Sequence, residues 1–276
     1  MIDLGKIKRF LSHPYAVTTA FFLFFIGVYL HFYYQSAANQ VAESNQNYFD
    51  AEAATTIAAR KNQFNSALEG YLKMEQTYDP RFGNGKLYYN IGNTYYQLEE
   101  YPLAVLYYYR AKHLRPFDSH VKTNLNVALS KLELPPAKEN SAIAHIFFFH
   151  VLLPLPVRLQ LFFMIALSAV ITISINVWKP TKKIKNAAII LGAMTTFLFL
   201  SLMYTYFLEN PEAVVVKSTS MYRGAGKQFA PVNENLLKAG SKVVLLQSDQ
   251  EGQWLKVEDE NDVVGFVPHS NLRVIF

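Results

Sequence analysis

Gly85–Asp118 reads GKLYYNIGNTYYQLEEYPLAVLYYYRAKHLRPFD, and its apolar residues recur at helical spacing in two runs. The runs are separated at Glu99–Tyr101 and closed by Pro116. Counted as a 34-residue unit from Gly85, Tyr88, Ile91, Gly92 and Tyr95 fall at positions four, seven, eight and eleven. Ala104, Tyr108, Ala111 and Pro116 follow at twenty, twenty-four, twenty-seven and thirty-two. Gly92 and Ala104 are small where two antiparallel helices must approach, and the aromatics fill the space left between them. Tyr88, Tyr95 and Tyr108 are therefore expected in a core.

These eight positions closely match the tetratricopeptide (TPR) pattern of a helix–turn–helix repeat. A weaker repeat aligns from Tyr48, with Ala67 at the small twentieth position, Tyr71 at the twenty-fourth and Met74 at the twenty-seventh. Its first helix would be DAEAATTIAARKN, and Pro80, Gly83 and Gly85 separate it from the clear repeat. Ser119–Glu133 places Val121, Leu125, Ala128, Leu129 and Leu132 on one helical face, as expected of a helix that caps a solenoid. Two repeats and a cap are fewer than the three repeats usually needed for independent stability.

The chain has 276 residues, of which 51% are hydrophobic, 15% aromatic and only 17% charged, a balance that points to membrane segments. Its net charge of +5 lies beside apolar stretches: Lys6, Lys8 and Arg9 near the start, and Lys179, Lys182, Lys183 and Lys185 further on. Basicity so placed is a topology signal and not a nucleic-acid footprint. There is no cysteine, which excludes disulfides, thiolate metal sites and a cysteine nucleophile. Ala16–Tyr34 is an uncharged run of 19 residues, roughly 28 Å as a helix. Ser36-Ala37-Ala38 also suits a signal peptidase, so an uncleaved anchor and a cleaved signal both stand; either way the following chain is exported. Val157–Val177 and Ala187–Phe207 supply two further spans of 21 residues, with Arg158 expected to snorkel at the outer end of the first. The basic loop between them is expected on the cytoplasmic side, and three spans from a cytoplasmic N-terminus alternate consistently with it.

Glu212–Phe276 changes to short β-branched runs separated by glycines and charged turns. Its features run in the order Ser220-Met221-Tyr222-Arg223-Gly224, Leu237-Lys238-Ala239-Gly240, Trp254-Leu255-Lys256-Val257 and Gly265-Phe266-Val267-Pro268. That order resembles the bacterial SH3-like (SH3b) domain, with its R-x-G turn, L-x-x-G turn, W-x-K-V strand and G-W-V strand, Phe266 standing for the usual tryptophan. Tyr222, Arg223 and Trp254 are its candidate surface, with a core role weighed first for Trp254.

No catalytic constellation emerges. Gly83-Asn84-Gly85-Lys86 lacks the first glycine and the Ser or Thr of a phosphate loop, and reads as a turn capping a helix. Gly224-Ala225-Gly226-Lys227 fails the same test. His145 and His150 are five apart, off a common helical face, and suit interfacial histidines better than metal ligands. Gly192 and Thr196 form a weak small-xxx-small pair. No cofactor is expected. What remains is binding: in a TPR repeat the second, fifth, ninth and twelfth positions of the first helix face the concave groove, here Lys86, Tyr89, Asn93 and Tyr96. Asn124 of the capping helix would lie across from Asn93, and asparagines there offer a donor and an acceptor to a peptide backbone. The competing reading is a solvated helix face.

The order of anchor, short TPR block, two close spans and SH3-like tail resembles the BatE-like TPR membrane proteins of bacterial aerotolerance (Bat) operons. The phrase LYYNIGNTYYQLEEYPLAVLYYYRAKHLRPFDSHVKTNL is similar to the TPR core of that family. The resemblance implies a non-enzymatic inner-membrane scaffold whose TPR and SH3-like domains face the periplasm. Its implied partners are von Willebrand A-domain membrane proteins and a MoxR-type ATPase system, and its implied role lies in aerotolerance and envelope stress. The alternative is an envelope assembly factor whose SH3-like domain binds peptidoglycan. The expected fold class is thus a multidomain membrane protein of α-helical TPR repeats, three transmembrane helices and a C-terminal all-β SH3-like barrel. The expected order is a basic cytoplasmic N-terminus (1–15), first span or signal anchor (16–34), linker (35–47) and TPR domain (48–133). Within that domain lie repeats 48–81 and 85–118 and the capping helix 119–133. A proline-containing juxtamembrane segment (134–156), spans 157–177 and 187–207 around the basic loop 178–186, and the SH3-like domain 212–276 complete it.

Overall fold

The structure is a computed structural model that describes residues 14–78, 84–138, 153–249 and 251–276. The basic N-terminal charges, Pro80, Gly83, the pair His145 and His150, and most of the juxtamembrane segment lie outside these residues. Chain contacts divide the protein into two units, Met1–Tyr78 and Asp79–Phe276.

In the first unit, α1 (Pro14–Ala53) and α2 (Ile57–Thr77) form a hairpin. The turn falls at 54–56, inside the stretch expected as a helix, because Thr56 takes an extended conformation and accepts a hydrogen bond from the Ala59 amide at 3.2 Å. Residues 35–47, expected as a linker or a helix extension, are the middle of α1 and not a linker. The Tyr71 hydroxyl donates to Asn45 Oδ1 at 2.6 Å, and Tyr48 meets Phe64 edge-on. Phe64, Ala67, Tyr71 and Met74 are all buried along α2.

The second unit begins with α3 (Lys86–Gln97), α4 (Tyr101–Leu114) and α5 (Ser119–Lys131). Gly85 opens α3 in the left-handed region, at φ 75°, and the Asn84 side chain accepts from the Lys86 amide. α3 and α4 pack as a hairpin, and α5 lies against α4. A Cβ on Gly92 would sit 2.8 Å from the Tyr108 ring, so only glycine allows this approach. Tyr88, Ile91, Gly92, Ala104, Tyr108 and Ala111 are buried, while Tyr95 and Pro116 are half-buried; Tyr95 stacks on Tyr107. Asp118 caps α5, its Oδ1 accepting from the amides of His120 and Val121 while Arg115 holds Oδ2.

Two helices follow that are long and apolar enough to cross a membrane, α6 (Leu155–Trp178) and α7 (Lys182–Phe207). Among the described residues there are two such helices, not the expected three. Ala16–Tyr34 does not end as a separate span: it is the first part of a 40-residue helix that continues unbroken through polar sequence to Ala53. α6 and α7 pack antiparallel, about 36 and 39 Å long at 1.5 Å per residue. Their hydroxyls do not point at a shared pathway. Ser168, Thr172, Ser174, Thr195 and Thr196 each donate to the carbonyl four residues back, which satisfies them within their own helix. Gly192 has nothing within 4 Å of an added Cβ, so it takes no part in the contact between the two helices. Arg158 does not snorkel outward. It is buried, and its Nη1 donates to Ser201 Oγ and Thr205 Oγ1, both at 3.0 Å.

The C-terminal part is an antiparallel sheet of β1 (Glu212–Val215), β2 (Lys242–Ser248), β3 (Trp254–Glu258), β4 (Val264–Pro268) and β5 (Leu272–Val274). Its order is β4-β3-β2-β1-β5, an open sheet and not the expected closed barrel. Closure would need β4 and β5 to meet. Instead the outer edge of β4 is paired by one residue, Tyr222, which exchanges both backbone hydrogen bonds with Phe266. β5 has only three residues and pairs with β1 alone. The core gathers Ala213, Val215, Met221, Val243, Val257 and Val267 on one face. Gly265 sits in β4 where a Cβ would crowd Met221, Val232 and the Tyr222 carbonyl.

The Arg115 hydrogen bond, with the two helix amides, holds the Asp118 carboxyl below the usual carboxylate range. A carboxyl with a depressed folded pKa stabilises the fold fully above its unfolded value of about 4, and this contribution is lost as pH falls through the folded value. We expect Asp118→Ala to lower stability at neutral pH by about 1 kcal/mol. Thermal melts of the detergent-solubilised chain against pH should show a flatter acid limb in the variant; an unchanged limb would refute the capping role.

Candidate functional site

Three of the expected groove residues meet in one network. Asn124 Nδ2 donates to the Tyr89 hydroxyl and to Asn93 Oδ1, each at 3.0 Å, and the Tyr108 hydroxyl donates to Asn93 Oδ1 at 2.9 Å. Helix spacing brings this about: Tyr89 and Asn93 are four apart on α3, so they share a face, and α5 lays Asn124 across it. The network uses both hydrogens of Asn124 Nδ2 and both lone pairs of Asn93 Oδ1. Among the described residues no hydrogen bond engages Asn93 Nδ2 or Asn124 Oδ1. Asn93 Nδ2 thus remains as a donor and Asn124 Oδ1 as an acceptor on a braced pair of amides. Lys86 is exposed one turn away, and Tyr96 is half-buried against Tyr101.

The sheet carries a second candidate surface. Tyr222 and Trp254 meet edge-on at 5.6 Å and line an open cleft of about 810 Å³. Lys227, His269 and Arg273 add basic groups to its wall. Arg223, the third residue expected here, is exposed and does not line the cleft. Among the described residues no group of three or more His, Cys, Asp or Glu side chains is placed to hold a metal ion.

The interaction that sequence reasoning missed joins these surfaces. Arg110 of α4 reaches the end of the sheet, where Nε donates to the Ile275 carbonyl at 3.1 Å and Nη2 to the Val274 carbonyl at 2.9 Å. Its guanidinium lies over the Tyr107 ring at 5.0 Å and the Tyr88 ring at 5.7 Å. Phe276 fits against Tyr88 and His113. Further along, Gly240 at φ 90° faces Leu132 and Leu134 after α5, and Lys138 Nζ donates to the Glu260 carbonyl at 2.6 Å. The helix expected to cap a solenoid is itself covered by a turn of the sheet. Tyr109 lies buried near this junction, where burial first, and then Glu260 and Glu212, push its hydroxyl above the ordinary tyrosine value.

The usable signal was Arg110 directly after the buried run Tyr107–Tyr109 of α4. No family model matches the chain, and no curated protein or solved structure is similar to it.

Arg110→Ala removes two hydrogen bonds from a charged donor in a half-buried setting. We expect a stability loss of about 2–3 kcal/mol. Faster hydrogen exchange should appear in both α4 and β5, and Arg110→Lys, with no planar fork, should restore only part of the protection. Exchange unchanged in β5 would show that the clamp does not hold the sheet.

Proposed function

We propose that this protein is a membrane-anchored scaffold that presents a helical peptide-binding surface and a sheet on one side of a bilayer. The observation that carries the reading is the braced pair Asn93 and Asn124, which leaves one amide donor and one amide acceptor for the groups of a peptide backbone. Docking of the sheet onto α4 supports placing both surfaces on one side, since a two-helix hairpin returns the chain to the side from which it entered. Lys179 and the basic first turn of α7, Lys182, Lys183 and Lys185, favour the cytoplasm, which supports placing helices α3–α5 and the sheet in the periplasm of a bacterial inner membrane. The resemblance to BatE-like proteins extends this to partners: von Willebrand A-domain membrane proteins working with a MoxR-type ATPase in aerotolerance or envelope stress. The role is binding, without catalysis.

A second reading has its own observation. The cleft with Tyr222 and Trp254 joins an aromatic wall to basic groups, a chemistry suited to the sugars and acidic peptides of peptidoglycan. In it the sheet grips the cell wall and the helices recruit assembly enzymes.

Asn93→Asp separates the two. It keeps the acceptor used by Tyr108 and Asn124 but turns the outward donor into an acceptor. Co-purification with a co-expressed von Willebrand A-domain membrane protein should weaken by about tenfold or more, with melting temperature retained. Capture unchanged by Asn93→Asp would sink the groove. Retention of the full chain on purified peptidoglycan that Trp254→Ala abolishes would favour the wall-binding reading.

A further inference from the structure

We propose that the cavity between α5 and the sheet binds a primary alkylammonium, the charged end of a lysine side chain or of a free diamine. Its volume is about 650 Å³, within the roughly 300–1,000 Å³ of small-molecule sites. It is lined by Tyr109 of α4, by Leu129 of α5, by residues 233–242 leading into β2, and by the turn Asp259–Asn261 between β3 and β4. It is separate from both the Asn93–Asn124 groove and the cleft of Tyr222 and Trp254.

Three carboxylates line the cavity, Glu234, Asp259 and Glu260, and among the described residues none of them forms an ion pair. The two lining cations are matched by carboxylates that do not line it. Lys238 Nζ lies 3.4 Å from Glu133 Oε2, and Lys242 Nζ lies 2.7 Å from Glu212 Oε1. Lys138 meets the backbone carbonyl of Glu260 and does not line the cavity. Asp259 Oδ1 accepts from the amides of Asn261 and Val263, which holds the turn in place.

Carboxylates alone would be an ordinary solvated surface. Tyr109 is what marks a ligand: it is 8% exposed, it lines the cavity, and among the described residues no hydrogen bond engages its hydroxyl. A buried hydroxyl left unpaired is costly, so the group that completes it should come from the cavity. Burial, then Glu260 and Glu212, push this hydroxyl above the ordinary tyrosine value, the response to a negative field. An ammonium has three donors and no acceptor, which suits a wall of carboxylates and one phenol oxygen. Its charge-assisted bonds belong to the strong class. Leu129, Leu134 and Leu236 supply apolar surface for the methylenes of its stem. A metal ion fits less well, because among the described residues no three His, Cys, Asp or Glu side chains are placed to hold one.

Equilibrium dialysis of the detergent-solubilised full chain would compare cadaverine, Nα-acetyl-lysine methylamide and the uncharged diol of the same length as cadaverine. An amine should bind more tightly than the diol by about tenfold or more. Binding of both amines supports a lysine side chain as the natural ligand, and binding of cadaverine alone supports a free diamine. Glu234→Gln with Glu260→Gln should weaken amine binding by about tenfold, and Tyr109→Phe by about fivefold, with melting temperature retained. Glu99→Gln with Glu100→Gln, at the turn between α3 and α4, should leave the affinity unchanged. Failure of both amines to bind would overturn the site, as would equal binding of the diol. So would an affinity that survives the change at Glu234 and Glu260, or displacement of cadaverine by equimolar magnesium.

Discussion

The second unit depends on one side chain that bridges a helix and a sheet edge. Sheet edges expose unpaired carbonyls, and an uncovered edge invites pairing with other chains. Here the carbonyls of Val274 and Ile275 are taken by the Arg110 fork, whose own face is covered by Tyr88 and Tyr107. The same residue therefore covers the end of β5 and ties α4 to the sheet. A barrel would have closed this edge with a strand; an open sheet closes it with an arginine from another element.

The two apolar helices obey a different constraint. In hydrocarbon every polar group must find a partner within the protein. The serine and threonine hydroxyls along α6 and α7 solve this locally, by bonding their own backbones. Arg158 solves it across the hairpin, through Ser201 and Thr205, and so ties the helix that enters to the helix that leaves. Both solutions leave the faces of the hairpin apolar and exposed, at Phe163, Leu167, Ile171, Ile190, Phe197 and Leu200 among others.

What was legible in the sequence was local. Gly92 and Tyr108 could be paired from spacing alone, because a 3.6-residue period fixes which side chains share a face. Asn93 and Asn124 could be placed opposite one another for the same reason. The strands of the tail were legible from β-branched runs, yet their closure was not: whether β4 meets β5 depends on the path of Ser220–Gly240, which has no periodicity to read. The turn at 54–56 was hidden because Ala51–Ala59 is rich in alanine and threonine and gives no breaker residue. At 35–47 polar composition left a linker and a helix extension both open; the helix holds, and Asn45 uses its polarity to bond Tyr71. Arg110 was invisible as a clamp because its partners are backbone carbonyls, and those carry no signature in the residue letters.

The bonds from Arg110 to Val274 and Ile275 join residues 164 and 165 apart in sequence, with both apolar helices lying between them. Contacts of such separation form late, after the intervening chain has found its place. They also form only if the two halves emerge on the same side of the bilayer. A chain threaded through the membrane once instead of twice would strand α4 and β5 in different compartments, leaving Tyr88, Tyr107 and the sheet edge bare. The clamp therefore ties the helices before the two apolar helices to the sheet after them, and it can be made only when α4 and β5 lie on the same side.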